Sequence, residues 1–127
     1  MAEAYQFNEF VAACATTTIW VHVTGGALET ASAYFNLMTA LAVQEFIGNG
    51  GLEHVAYIRT APFENWRGPP PAPLVDSYRF QSGPSKRGYL AFFVNHKNQY
   101  VIKSLKKDDR FGGFYQLAAA LALKRPE

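Results

Sequence analysis

Cysteine is almost missing from this chain of 127 residues: Cys14 stands alone, so no intrachain disulfide can form. That fits a reducing compartment. Charged residues are also few, at 17%, against 49% hydrophobic residues, the balance of a chain that folds around its own core. No pair of His, Cys or acidic residues has metal-ligand spacing, so neither a metal nor another cofactor is expected. No apolar run is long enough to span a membrane. The longest, "ASAYFNLMTALAVQEFI", is interrupted by Ser32, Asn36, Thr39 and Gln44 and reads as a buried helix. The opening "MAEAYQFNEF" is acidic and amphipathic, unlike the basic start and apolar run of a signal peptide. A cytoplasmic protein with no membrane partner is expected, folded as a single domain over residues 1–127.

Basic residues are scarce in one half only. Residues 1–76 hold Arg59 and Arg67 against seven acids, a balance of −5; residues 77–127 hold ten Lys and Arg against three acids, a balance of +7. Such a basic half suggests an anionic partner, either nucleic acid or an acidic protein segment. Mutual neutralisation of the two halves in the fold explains the same numbers, and composition leaves both readings open.

Aromatic residues are plentiful, at 15%, and their spacing marks the elements. Phe7, Phe10, Val11 and Cys14 follow helical spacing, and "TTTIWVHV" predicts a strand from about Thr17 to Val23, ended by Gly25-Gly26. A long helix is expected from about Glu29 to Ile47, closed by the glycines of "GNGG". "LEHVAYIRT" reads as a shorter helix or an irregular segment. "APFENWRGPPPAP" is a Pro-rich connector, since consecutive prolines join neither a helix nor a central strand. Then "LVDSYRFQS", "RGYLAFFVN" and "QYVIKSLKK" alternate with the turn segments "GPSK" and "HKN", which predicts an antiparallel meander. "FYQLAAALAL" predicts a closing helix. The fold class is therefore α+β, an antiparallel sheet of three to four strands packed with helices.

The meander carries the chemistry. Arg79, Lys86, Arg87, Lys97, Lys103, Lys106, Lys107 and Arg110 lie on or beside its strands. Arginines offer bidentate contacts to phosphate oxygens and lysines offer point charges. Strict alternation along the last strand puts Tyr100, Ile102, Ser104 and Lys106 on one face and Val101, Lys103, Leu105 and Lys107 on the other. Interleaved Tyr78, Tyr89, Phe93 and Tyr100 are candidates for base stacking, although most belong to a core. His96 occupies a turn where a general acid or base can sit, and a turn histidine is more often only solvated. His22 reads as half-buried and structural, His54 as uninformative, and Asp108-Asp109 as turn or capping residues. "VTGGALET" lacks the further glycine of a dinucleotide fingerprint and the Gly-Lys-Ser/Thr of a phosphate loop.

The features "SYRF", "RGYLAFFV" and "VIKSLKK", in that order after a leading strand, resemble the bacterial toxins of the RelE/HigB type. In that family an exposed sheet face bearing Arg, Lys, Tyr or His acts on messenger RNA in the ribosome. The resemblance implies a toxin-like, RNA-binding or RNA-cleaving protein whose partners are RNA or the ribosome and an antitoxin. It implies that Arg79 and Arg87 hold phosphate or stabilise the transition state, while His96 or a lysine such as Lys107 moves the proton. Lys86, Lys97, Lys103, Lys106 and Arg110 would then bind the nucleic-acid backbone. The alternative is a non-enzymatic module, of the kind a phage or mobile element carries, that blocks an acidic protein partner through the same basic face. A third reading, an apolar small-molecule pocket, has only the aromatic excess behind it.

Overall fold

The computed structural model describes residues 2–17 and 20–108. Its elements are α1 (Phe7–Ala15), β1 (Val21–Val23), α2 (Gly25–Phe35), α3 (Ala40–Gly48), β2 (Glu53–Pro62), β3 (Leu74–Ser82), β4 (Lys86–Val94) and β5 (Tyr100–Lys107). The class is α+β, as expected. The sheet is larger and of mixed sense: five strands in the order β1-β5-β4-β3-β2, with β1 parallel to β5 and the other pairs antiparallel. The meander therefore has four strands, not three. The expected closing helix lies outside the described residues.

Two stretches depart from the sequence expectation, the first for local reasons and the second through strand pairing. The long helix breaks in the middle, because Asn36 adopts the left-handed conformation at φ 61° and caps α2. Asn tolerates that region well. Thr39 then starts α3, its Oγ1 accepting the Ala42 N–H at 3.0 Å. Gly25 and Gly26, expected to end a strand, instead begin α2, with Thr24 Oγ1 accepting the Ala27 N–H at 3.1 Å. The second failure is "LEHVAYIRT", which forms most of β2. Its pairing with β3 from Glu53↔Gln81 to Pro62↔Leu74 decides the outcome, as tertiary pairing often overrides weak local preference.

The helices cover one face of the sheet. Phe10 of α1 lies flat on Phe92 of β4, centroids 3.9 Å apart and planes within 6°, and both rings are fully buried. Cys14, one helical turn further on, joins the same core, as its spacing predicts. Phe35 and Phe46 pack against Phe80 at the other end of this face. A buried carboxylate fixes the entry to α1: Asp76 of β3 accepts the backbone N–H groups of Ala4 and Tyr5 and the hydroxyl of Thr60. Beside it, burial, and secondarily the Asp76 charge, pushes the Tyr78 phenol well above its ordinary range.

Among the described residues, the opposite, outer face is covered only in part. Phe63 and Trp66 of the 63–73 connector fold back over one end and meet Phe93 edge-on, with Val75, Ala91 and Val101 beneath them. β4 is thus apolar on both sides, as its sequence predicts for a central strand: Leu90 and Phe92 face the helices, Ala91 and Phe93 the connector.

Gly88 marks the tightest approach on the helix side, since a Cβ there would stand 2.2 Å from Phe80 Cζ. Gly88→Ala should cost about 1–3 kcal/mol by overpacking, read as a lower urea midpoint; an unchanged midpoint contradicts that contact.

Burial also pushes the Cys14 thiol up from 9.0 to about 12. The folded state therefore disfavours the thiolate, so this group's contribution to stability is whole below pH 9.0 and is lost as pH rises toward about 12. Cys14 should resist thiol reagents in native protein and react on denaturation; rapid native labelling contradicts its placement.

Candidate nucleic-acid interface on the outer sheet face

The uncovered half of the outer face is built by an irregularity in β5. Ile102 pairs with Phe92 and Ser104 with Ala91, so Lys103 is an extra residue, a β-bulge. Strict alternation fails there. Ile102 and Leu105 both reach the helix-side core at zero exposure, although three positions separate them. Lys103 and Lys106 consequently share the outer face, their Nζ atoms 5.0 Å from the Phe63 ring and 5.6 Å from the Tyr89 ring. Lys107, paired with Gly88, turns to the helix side. The sequence grouping of Lys103 with Lys107 is corrected by this one inserted residue.

The neighbouring strands add cations in register. One row across the sheet reads Ala56, Arg79, Tyr89, Lys106; the next reads Arg59, Ser77, Ala91, Ser104. Arg87, opposite Gln81, continues the same face by one more step. Adjacent strands lie about 4.8 Å apart, so the first row spans roughly 15 Å from β2 to β5. Arg59, Arg79, Arg87, Lys103 and Lys106 thus converge from four strands. The floor between them is held by Tyr89, whose hydroxyl donates to Ser77 Oγ at 2.9 Å. A cation over an aromatic ring gains about 0.5–1 kcal/mol at an exposed site, enough to bias the lysines toward one lie while leaving their charge accessible.

Two depressions open on this face. The first, about 140 Å³, is lined by Arg59, Lys103, Ser77 and Tyr89, with Glu64 at its rim. The second, about 350 Å³, lies at the sheet end and is lined by Arg79, Arg87, Gln81, Phe80, Asp108 and His54.

The expected site residues divide accordingly. Arg79, Arg87, Lys103 and Lys106 come together. Lys86 does not: its Nζ donates to the Tyr34 carbonyl at 2.8 Å on the helix side. His96 and Lys97 sit in the β4–β5 turn, which Asn95 organises by accepting the Lys97 and Gln99 N–H groups. The length of β4, about 25 Å, separates that turn from Arg87. His96 instead borders an apolar depression against Trp66 and Pro69–Pro71. Arg110 lies outside the described residues. Tyr78 and Phe93 are core, and His22 is exposed rather than half-buried. Two residues at the face escaped the sequence reading, Arg59 and His54, because the segment that carries both was not read as a strand. The β-branched and aromatic run "VAYIRT" was a signal for a strand, but alternation there would set Arg59 on the Tyr57 face, and only the register shift between them turns it outward. No signal existed for His54, which stands where the β2–β3 register breaks.

Among the described residues no group of His, Cys, Asp and Glu side chains is arranged to hold a metal ion. The chain matches no protein-family model, no curated protein and no solved structure.

The bulge is testable by stability alone. Leu105→Ala should cost about 2–5 kcal/mol, as a core truncation does, whereas Lys106→Ala should change stability by less than about 0.5 kcal/mol. Denaturation midpoints in the reverse order would mean that β5 is regular.

Proposed function

We propose that this protein binds single-stranded RNA across the outer face of its sheet and cleaves it, in the manner of the toxin family its sequence resembles. One observation carries the reading: Arg59, Arg79, Arg87, Lys103 and Lys106 share one face that no other described element covers, in register across four strands. Backbone phosphates present repeated negative charge, and a flat, multi-strand array of cations is suited to several of them at once. The half-exposed ring of Tyr89 lies in the middle of that array, where a splayed base can stack once Lys106 turns to a phosphate. From β1 onward the order of elements, a strand and two helices before an antiparallel meander, supports the reading as well, although α1 precedes them.

The work is divided along the face. Arg79 and Arg87, at the larger depression, hold the phosphate that reacts, since a guanidinium grips two oxygens and stabilises the extra charge of a pentacovalent phosphorus. Arg59, Lys103 and Lys106 carry the neighbouring phosphates. Lys86 and Lys107 have no part in it, being directed to the helix side.

Affinity for a single-stranded RNA oligonucleotide should fall steeply with salt, and each cation removed should lessen the slope of log K against log [salt] by about 0.7. Arg59→Ala, Lys103→Ala and Lys106→Ala should each do so; Lys97→Ala and Lys107→Ala should not. In a bacterial host, induced expression should arrest growth with transcript cleavage, relieved by Arg79→Ala or Arg87→Ala. Harmless expression of folded protein would end the enzymatic reading. Salt-insensitive RNA binding together with tight binding to an acidic polypeptide would transfer the face to a protein partner.

A further inference from the structure

We propose that His54 is the proton-accepting catalytic residue of this face, an inference that rests on the RNA-cleaving reading above. Three observations converge on it. First, His54 lines the same depression of about 350 Å³ as Arg79 and Arg87, the two arginines suited to a reacting phosphate. Of the three histidines it alone is so placed: His96 is a strand length away, and His22 lies on β1, across the sheet from β2. Second, its backbone is held in an uncommon state. His54 has φ 49°, at the break in pairing between Glu53↔Gln81 and Ala56↔Arg79. A non-glycine residue in the left-handed region costs of order 1 kcal/mol or more and persists only where its surroundings fix it, often at a site of function. The surroundings here are visible: the Glu53 carboxylate, one residue earlier, accepts the Gly83 N–H of the β3–β4 turn at 2.8 Å and ties the start of β2 to β3. Third, the imidazole is exposed and makes no hydrogen bond to another described residue, so it is available to a ligand in the depression.

The chemistry follows from those groups. An imidazole takes up and releases a proton near neutrality. His54 accepts the proton of a ribose 2′-hydroxyl as that oxygen attacks the adjacent phosphorus. The new bond is P–O2′ and the broken bond is P–O5′. Arg79 and Arg87 hold the non-bridging oxygens while charge accumulates on them. The leaving 5′-oxygen takes a proton from water at the open mouth, and the imidazolium returns its own to solvent. The products are a 2′,3′-cyclic phosphate and a 5′-hydroxyl, with no net proton change and no metal or redox partner required.

The test uses the full chain with a single-stranded RNA oligonucleotide, alone and on translating ribosomes. His54→Asn is the first variant, because Asn tolerates the left-handed backbone and cannot serve as the base; His54→Gly is the second. Each should lower the single-turnover cleavage rate about 100-fold or more, with the RNA dissociation constant changed less than twofold. A single 2′-deoxy substitution at the cleaved position should abolish cleavage and spare binding. Cleavage by both variants within about threefold of the parent, or products ending in a 3′-hydroxyl, would overturn the role of His54 and leave the RNA face standing. Absence of cleavage by the parent chain with binding intact would overturn this proposal and the enzymatic reading; absence of binding would overturn the RNA face as well.

Discussion

Leu90 and Leu105 pair across the sheet and both are fully buried under the helices, as are Phe92 and Ile102 one step along. Only one residue lies between Leu90 and Phe92, yet two lie between Ile102 and Leu105. The mismatch is absorbed at Lys103, and the requirement that all four apolar groups face the helices forces it there. A regular ladder would send either Ile102 or Leu105 to the outside and bring a lysine into the core, at the expense of several kcal/mol in lost burial and an unpaired charge. The core thus dictates where the lysines go. The same constraint that buries Ile102 and Leu105 sets Lys103 and Lys106 side by side on the outer face, next to Arg79 and Tyr89.

A second irregularity works the same way on the edge strand. The pairing of β2 shifts between Glu53 and Ala56 and again between Tyr57 and Arg59. Tyr57 keeps its place against Tyr78 on the helix side, while Arg59 emerges opposite Ser77 on the outer face. Interrupted pairing also blunts β2 as an edge, since a strand with shifted register offers a poor template to another chain. On the outer face the connector shields Phe93 and Val101 with Phe63 and Trp66, and Phe63 reaches as far as Lys103 at the edge of the charged half.

Much of this was legible in the residues. The meander, its turns, the two-sided burial of β4, the Phe10–Cys14 stripe and the basic strands all follow from period and composition. What was not legible came from pairing. A bulge has no signature in "YVIKSLKK", because each residue there suits a strand whichever way it faces. β2 was missed because Glu53, His54 and Gly51 are poor strand formers, and only the partner strand makes the segment extended. The split between α2 and α3 depends on Asn36, which a helix interior also tolerates. For the candidate face the arginines of β3 and β4 could be named from the sequence, whereas Arg59 and His54 needed the register.

The Asp76 clamp has a consequence for how the chain is made. Ala4 and Tyr5 are fastened to a carboxylate more than seventy residues later, α1 lies on Phe92, and β1 finds its partner only at Tyr100 to Ile102. The first fifty residues meet no partner in the sheet until β3 has been synthesised, and β1 waits for β5. Contacts of such long sequence separation form slowly, because the loop entropy must be met before they stabilise anything. The nascent chain therefore emerges with its amphipathic helices unsupported until the basic strands follow. The cationic face is completed only once β5 has emerged, when that strand is inserted between β1 and β4 and joins the first strand to the meander in a single sheet.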